Sequence, residues 1–182
     1  MVSRTGTAGA DRLRGTNGAD VLQAAGVSVA GEWDRMIGLN GSDTYDLYTG
    51  LNGGPIRNFI INDRGLDGAE DHIINAGALF HTTATGAYSS FANVQRVGDT
   101  LVLHLPEDHA RWRHAGSPAS DIRIINHYGG AAVETLQAGG VTYQLASGDT
   151  GTDLADIMAG DRGDNTLSAG AGDDWILGQW WP

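Results

Sequence analysis

A nine-residue period near the C-terminus constrains the fold of this chain more than any other feature. Residues 151–177 divide into GTDLADIMA, GDRGDNTLS and AGAGDDWIL, and Gly178 follows. Position six always carries a side-chain oxygen and position eight is always apolar; the pairs are Asp156 and Met158, Asn165 and Leu167, and Asp174 and Ile176. A fixed period of this kind is typical of a solenoid.

The residue types in the repeat indicate how each unit folds. Glycines at positions one, two and four allow the first six residues to form a tight turn. The last three residues then form a short strand whose position-eight side chain points inward. If two repeats make one coil, Asp156 and Asp174 stack on the same edge with turn carbonyls between them. Such an all-oxygen environment suits Ca²⁺, which would also relieve the repulsion between the stacked carboxylates.

This pattern resembles the GGxGxDxUx repeat of the RTX, or haemolysin-type calcium-binding, protein family. Asp173 and Asp174, with Gly170 and Gly172, give the closest match. The resemblance implies a parallel β-roll that binds several Ca²⁺ ions in its turns. A flexible linker rich in glycine and aspartate is the alternative, but linkers rarely keep a fixed period.

The same repeat occurs near the N-terminus, in residues 6–14, 15–23, 29–37 and 38–46. Five extra residues, 24–28, separate the two pairs, so equivalent aspartates are twenty-three residues apart instead of eighteen. A bulge between coils would keep the columns of aspartates aligned. Glu32 replaces a glycine in the 29–37 repeat and Tyr45 replaces the usual aliphatic residue of the next one, so we expect the 29–37 turn to bind calcium weakly or not at all.

The candidate metal ligands follow from this alignment. Asn165 is a neutral substitute that should weaken its site, and backbone carbonyls near the position-four glycines would complete the coordination. The predicted side-chain ligands are Asp11, Asp20, Asp34, Asp43, Asp156, Asn165 and Asp174, and the glycines are Gly9, Gly18, Gly41, Gly163 and Gly172.

The middle of the chain, residues 47–150, lacks the period but is rich in β-forming runs separated by turn signals. Residues 95–147 resemble a segment that often lies between RTX repeat blocks, which implies an extension of the β-roll or a sandwich. The one candidate for a short helix lies near 131–138. The runs are 56–61, 71–74, 100–105, 121–125 and 141–145.

We therefore predict an all-β fold. Parallel β-roll blocks at 1–46 and 151–182 would flank an irregular β-rich middle region, 47–150. In an alternative arrangement, the two blocks stack on each other within one chain and the middle region is an insertion.

The composition excludes several functions. The chain has 28 glycines, a net charge of −11 and no cysteine, and all its cationic side chains are arginines. Neither a basic nucleic-acid footprint nor an apolar membrane span or cleavable leader is visible. The resemblance implies a bacterial protein that is extracellular or on the cell surface and leaves by a type I system. A repeat so close to Met1 favours a self-standing protein over a fragment of a larger one.

Few residues suggest catalysis. His104, His109 and His114 recur every five residues around acidic neighbours, but they fit no zinc motif and we expect solvated loop histidines, with a weak zinc or nickel site as the alternative. The acidic pairs Glu70–Asp71 and Asp173–Asp174 could suggest a glycosidase, but nothing in the sequence places two carboxylates across a substrate cleft. We expect no enzyme activity.

The C-terminal tip, Trp180-Trp181-Pro182, is expected to cap the open end of the solenoid. Alternatively, it docks on the N-terminal coil of a second copy and propagates a head-to-tail filament or surface layer. The predicted function is thus a structural or adhesive protein that folds on binding calcium. The alternative is an accessory module of a secreted enzyme, such as a protease, lipase or polysaccharide-modifying enzyme, that aids secretion and refolding or binds polysaccharide.

Overall fold

The computed structural model describes residues 1–24, 32–47, 58–75, 81–82, 88–89, 93–104, 121–138 and 140–178. Within these residues the chain forms sixteen short strands and one turn of 3-10 helix, His127–Gly129. The all-β prediction is therefore confirmed. The strands are β1 Ser3–Thr5, β2 Arg12–Arg14, β3 Val21–Gln23, β4 Asp34–Ile37, β5 Thr44–Asp46, β6 Phe59–Ile61, β7 His72–Ile74, β8 His81–Thr82, β9 Tyr88–Ser89, β10 Asn93–Val97, β11 Thr100–His104, β12 Asp121–Ile124, β13 Thr135–Ala138, β14 Val141–Leu145, β15 Asp156–Ala159 and β16 Trp175–Leu177.

Most strands belong to one of two sheets. The eight-stranded sheet has the order β1-β3-β5-β7-β13-β14-β15-β16, and the six-stranded sheet has the order β10-β11-β12-β6-β4-β2. Strands β8 and β9 form a separate antiparallel pair. Along the first seven strands the chain alternates between the two sheets, which is the winding expected of a β-roll.

The coil length predicted from the repeat is confirmed by the strand register. Ser3 pairs with Val21 and Ile157 pairs with Trp175, each eighteen residues apart and in parallel. Across the five-residue insertion, Arg12 pairs with Arg35, twenty-three residues later. The insertion therefore leaves the columns in register, as the alignment of the aspartates predicted.

The middle region continues both sheets. Strand β13 pairs in parallel with β7, and β12 pairs in parallel with β6. Antiparallel hairpins then extend the sheets, through β12-β11-β10 on one side and β13-β14 on the other. The prediction of a short helix near 131–138 was wrong, because Thr135–Ala138 forms a strand with two hydrogen-bonded neighbours.

The eight-stranded sheet runs without a break from β1 to β16. Strands of the N-terminal repeats, the middle region and the C-terminal repeats are thus joined by one ladder of hydrogen bonds. The two repeat blocks are not direct neighbours in this sheet, because β7, β13 and β14 of the middle region lie between them. The division at residues 46 and 150 stays a prediction.

The core lies between the two sheets and combines position-eight side chains of the repeats with apolar side chains of the middle region. Leu22, Met36, Tyr45 and Met158 are fully buried, and the first three of these belong to the core cluster. Burial of each such side chain contributes roughly 2 kcal/mol to folding. Ile176 departs from the inward rule and is 46% exposed, because β16 is the outermost strand and has a neighbour on one side only.

Candidate calcium sites

Several turns of the roll are closed by their own position-six carboxylate. In three turns the carboxylate Oδ2 accepts hydrogen bonds from both the N–H and the hydroxyl of the threonine at position two. The N–H distances are 2.5 Å for Thr7 to Asp11, 2.5 Å for Thr16 to Asp20 and 2.8 Å for Thr152 to Asp156. Such side-chain bonds to nearby backbone groups explain why aspartate suits these turns.

Successive coils are joined through position-six carboxylates of the neighbouring coil. Oδ1 of Asp34 accepts a hydrogen bond from the backbone N–H of Asp11, at 2.9 Å. Equivalent bonds link Asp43 to the N–H of Asp20 at 2.8 Å, and Asp174 to the N–H of Asp156 at 3.0 Å. The three predicted stacked pairs are therefore brought together in the fold.

The carboxylates differ in exposure along each column. Asp20, Asp34, Asp43 and Asp156 are buried, and Asp11 and Asp174 are half-buried. Asn165 is exposed, and its amide group is used locally. Its Nδ2 donates to the carbonyl of Gly163 at 2.7 Å and its Oδ1 accepts the N–H of Asp161 at 3.0 Å.

Two of the five predicted glycines have the backbone conformation that only glycine adopts easily. Gly41 has φ of 106° and Gly172 has φ of 131°, whereas Gly9, Gly18 and Gly163 lie outside the left-handed region. A side chain at Gly41 would lie 2.6 Å from the backbone of Gly18 in the coil below. Position-four glycine is thus needed where one turn packs closely on the next.

The buried carboxylates fit a calcium ion. Oδ1 of Asp156 and Oδ2 of Asp43 are buried and accept no hydrogen bond from the residues that the structure describes. A buried, negatively charged oxygen without a donor is costly, and a hard cation with oxygen ligands removes that cost. The position-six carboxylates would hold Ca²⁺, which would supply the positive charge between neighbouring turns.

The comparison with protein families agrees with this chemistry. The family model of the RTX calcium-binding nonapeptide repeat matches the chain in four copies, over residues 5–26 and 150–180. The chain carries RTX calcium-binding repeats. These repeats bind Ca²⁺, and proteins that contain them are typically secreted. No curated protein and no solved structure is significantly similar to the chain.

No helix that could span a membrane is found among the described residues. The 29–46 segment lies outside the ranges that the family model matches, although its strands stack in the same register as the matched repeats. The family pattern therefore covers less of the chain than the roll itself does.

Sequence reasoning missed a group of three buried aspartates beside the RTX repeats. Asp43, Asp63 and Asp71 each place one oxygen within 4.8 Å of the others. Asp71 also continues the ladder, because its Oδ1 accepts the N–H of Asp43 at 2.6 Å. Asp71 stands two residues before the buried Ile73, as position six stands before position eight. That spacing was the signal that could have revealed Asp71.

Burial and mutual repulsion shift the titration of this group, which we call the aspartate cluster. Loss of solvent raises the pKa of Asp43 to about 7 and that of Asp71 to about 8, and the neighbouring carboxylates add to both shifts. Burial likewise raises the pKa of Asp63 and of Glu134, whose Oε2 accepts the N–H of Asp71 at 2.6 Å. Without a cation, protons must therefore neutralise part of the cluster near neutral pH.

The histidines considered as a zinc site, His104, His109 and His114, were expected to be solvated loop residues, and for His104 this was wrong. His104 lies on β11, not in a loop, and its Nδ1 lies 2.9 Å from Oδ1 of Asp121. Its Nε2 lies 3.2 Å from Oε1 of Gln95, so both ring nitrogens have partners. His109 and His114 lie outside the described residues. Within the described ranges, the aspartate cluster is the one group of three histidine, aspartate or glutamate side chains close enough to share a metal ion.

Proposed function

We propose that this protein is a secreted structural protein whose roll folds on meeting extracellular calcium and then assembles head to tail. The RTX repeats supply the calcium binding. The observation that carries the assembly step is the opposite charge of the two ends of the roll. The proposal assigns the chain no catalytic role.

Calcium controls folding because the fold collects acidic groups in its interior. Asp20, Asp34, Asp43 and Asp156 are each at most 1% exposed, and the whole chain has a net charge of −11. Bringing these carboxylates together without a cation opposes folding. Binding of Ca²⁺ to the folded state alone therefore stabilises it, by an amount that grows with the logarithm of the calcium concentration.

The N-terminal end of the roll is basic. Strands β1 and β2 are the outermost strands of the two sheets at this end. They carry three exposed arginines, Arg4, Arg12 and Arg14. This is an unusual concentration of positive charge in a chain with 11 cationic side chains and 22 acidic ones.

The C-terminal end of the eight-stranded sheet is acidic and partly apolar. Strand β16 is outermost there, and its Ile176 and Leu177 are 46% and 41% exposed. Exposed acids lie in the turns beside it, namely Asp161, Asp164 and Asp173. A basic strand edge of one copy facing the acidic edge of the next makes a heterologous contact, which propagates instead of closing.

The Trp180–Pro182 tip lies outside the described residues, and its role in docking stays a prediction. The strand edges and charges of β1, β2 and β16 support the assembly without it.

A second candidate function is that of an accessory module that binds acidic polysaccharide. It is favoured by an open groove of about 500 Å³ at the basic end, lined by Ser3–Thr5 and residues 12–15. The arginines of this groove would face carboxylate or sulfate groups of a glycan. In this case the protein stays monomeric, and calcium serves folding alone.

Light scattering in chelator and then in excess calcium tests both candidates. We expect an expanded monomer in chelator, then a smaller radius, and finally a growing mass as calcium is added. Compaction without growth, together with binding to an acidic polysaccharide, would favour the accessory module. A mass and radius that calcium does not change would contradict both.

The charge contact is tested by reversing Arg12 and Arg14 to glutamate together. This variant should compact in calcium like the parent chain but remain a monomer. Arg35→Glu is the matched control, because Arg35 is an exposed arginine one strand further into the same sheet. Equal assembly of the double variant and the parent would exclude the proposed contact.

A further inference from the structure

The aspartate cluster lies in a part of the chain that the RTX family model does not match, since that model covers residues 5–26 and 150–180. Asp43 is fully buried, and Asp63 and Asp71 are each 2% exposed. Burying three carboxylates with oxygens within 4.8 Å of one another is energetically costly unless something neutralises their charge.

Only one of the two carboxylate oxygens of Asp43 has a hydrogen-bond donor among the described residues. Its Oδ1 accepts the N–H of Asp20, but its Oδ2 is buried and receives no hydrogen bond from the described residues. In three of the regular turns this oxygen is bonded to a threonine at position two. The 38–46 repeat has Leu39 at that position, which offers no hydroxyl, so Asp43 Oδ2 remains available for a different ligand.

Three side-chain oxygens converge over the open face of a glycine. Oδ2 of Asp43, the hydroxyl of Tyr45 and Oδ1 of Asp63 lie 2.2, 2.3 and 2.5 Å from the point where a side chain on Gly38 would begin. Any side chain at Gly38 would collide with all three. The glycine therefore keeps open the space into which these oxygens point.

Asp63 occupies the place of a repeat glycine. Leu39 and Arg64 form a parallel bridge, which sets Gly38, the first residue of its repeat, directly beside Asp63 of the next coil. Asp63 is held in position by the hydroxyl of Tyr45, at 2.8 Å from Oδ1, and by the N–H of Gly65, at 2.6 Å from Oδ2. A carboxylate thus enters the roll where the regular repeat has no side chain.

We propose that Asp43, Asp63 and Asp71, with the Tyr45 hydroxyl, form an additional calcium site inside the roll. The donor set consists of oxygens alone, which favours Ca²⁺ over Zn²⁺, a metal that prefers nitrogen and sulfur. The inference depends on the proposed function only in that the protein meets calcium outside the cell.

The site would tie the two sheets together. Asp63 follows β6 of the six-stranded sheet, whereas Asp43 and Asp71 precede β5 and β7 of the eight-stranded sheet. An ion held by all three carboxylates fixes these sheets to each other at the point where the chain leaves the regular repeat. Its role is to stabilise the irregular coils, for which no neighbouring RTX turn supplies ligands.

The test is the number of calcium ions bound by the full chain, measured by isothermal titration calorimetry. Asp63→Asn keeps the shape and one oxygen but removes a charge, and it should bind one ion fewer than the parent chain. Asp63→Gly restores the residue found at the equivalent place of the preceding coil and should give the same result. Asp67→Asn is the matched control, because Asp67 is an exposed aspartate in the same turn and should leave the number unchanged.

Unfolding midpoints in chelator and in calcium separate an ion site from a purely structural Asp63. At an ion site, Asp63→Asn reduces the gain in stability that calcium gives, and it does not lower stability in chelator. An unchanged ion count in a folded Asp63 variant would overturn the proposal. So would equal destabilisation with and without calcium, or failure of both variants to fold in excess calcium. Asp174→Ala should retain the cluster ion, so loss of the repeat sites and loss of the cluster are distinguishable.

Discussion

The C-terminal repeats, residues 151–178, and the irregular coils, residues 38–75, use the same ladder of carboxylates in different surroundings. In the repeats, Asp156 is satisfied at Oδ2 by Thr152, and most of the other acids remain in water. In the irregular coils, Leu39 takes the place of the threonine, and three carboxylates are buried together. The two regions therefore differ in where the negative charge is placed, not in how the strands stack.

The difference arises from the length of the turns. Asp156 and Asp174 are eighteen residues apart, whereas Asp43 and Asp71 are twenty-eight apart yet occupy neighbouring coils. The extra residues bring in Asp63 while the strands keep their register. An insertion that preserves register can thus place new chemistry inside a solenoid without changing its fold.

The largest effect that separates the two regions should be the pH dependence of folding without calcium. The aspartate cluster has folded pKa values of about 7 for Asp43 and about 8 for Asp71, well above the value of 3.8 for an unperturbed aspartate. A raised pKa means that the folded chain binds more protons than the unfolded chain, so stability falls as pH rises through these values. In chelator, the free energy of unfolding should fall by about 2 kcal/mol between pH 6.5 and 8.5.

Asp71→Asn should remove part of that slope and leave the part due to Asp43, because the amide keeps an oxygen for the N–H of Asp43 but carries no charge. Asp67→Asn should change the slope much less, because Asp67 is exposed and is the smallest of the causes that raise the pKa of Asp43. Burial lowers the pKa of His127 to about 4. The folded protein therefore loses stability through this histidine mainly as the pH falls below 6.5, outside the range of the measurement. Urea unfolding followed by circular dichroism gives the measurement, and a stability that does not change over this pH range would contradict the assigned burial.

Much of the regular part of the roll could be predicted from the sequence. The spacing of Asp156 and Asp174 gave the coil length, and the five-residue offset between Asp11 and Asp34 gave the aligned columns that the structure confirms. Local turn chemistry repeats at a fixed interval there, so one rule describes every coil.

The rest depends on contacts between distant residues. No local pattern shows that Asp63 lies beside Gly38, because the turn that aligns them departs from the nine-residue period. The prediction of a short helix near 131–138 was wrong for a similar reason: β13 becomes a strand because it pairs with β7, more than sixty residues earlier. Propensity alone cannot supply that pairing.

A smaller effect is expected for Asp174→Ala in the C-terminal repeats. The change removes a carboxylate predicted to bind calcium and the acceptor for the N–H of Asp156. The calcium concentration needed for folding should rise about tenfold, which corresponds to about 1.4 kcal/mol. Tryptophan fluorescence during a calcium titration measures this midpoint. The neighbouring Asp173→Ala is the control, since Asp173 is exposed, and an equal shift in both variants would refute the specific role of Asp174.

The smallest effect should come from Thr152→Val, which tests whether threonine at position two is what lets the regular turns satisfy their carboxylate. The valine keeps the size and the backbone N–H, but it loses the hydroxyl that donates to Asp156 Oδ2 at 3.0 Å and accepts the N–H of Leu154 at 3.0 Å. We expect a loss of about 1 kcal/mol in saturating calcium, measured as a lower urea midpoint. Thr166→Val, at an exposed position of the same repeats, should change the midpoint much less. If both substitutions lower the urea midpoint equally, the hydrogen bond from the threonine hydroxyl to the carboxylate is not what distinguishes the regular turns. The exposure of the acids in these turns must then explain why they differ from the buried aspartate cluster.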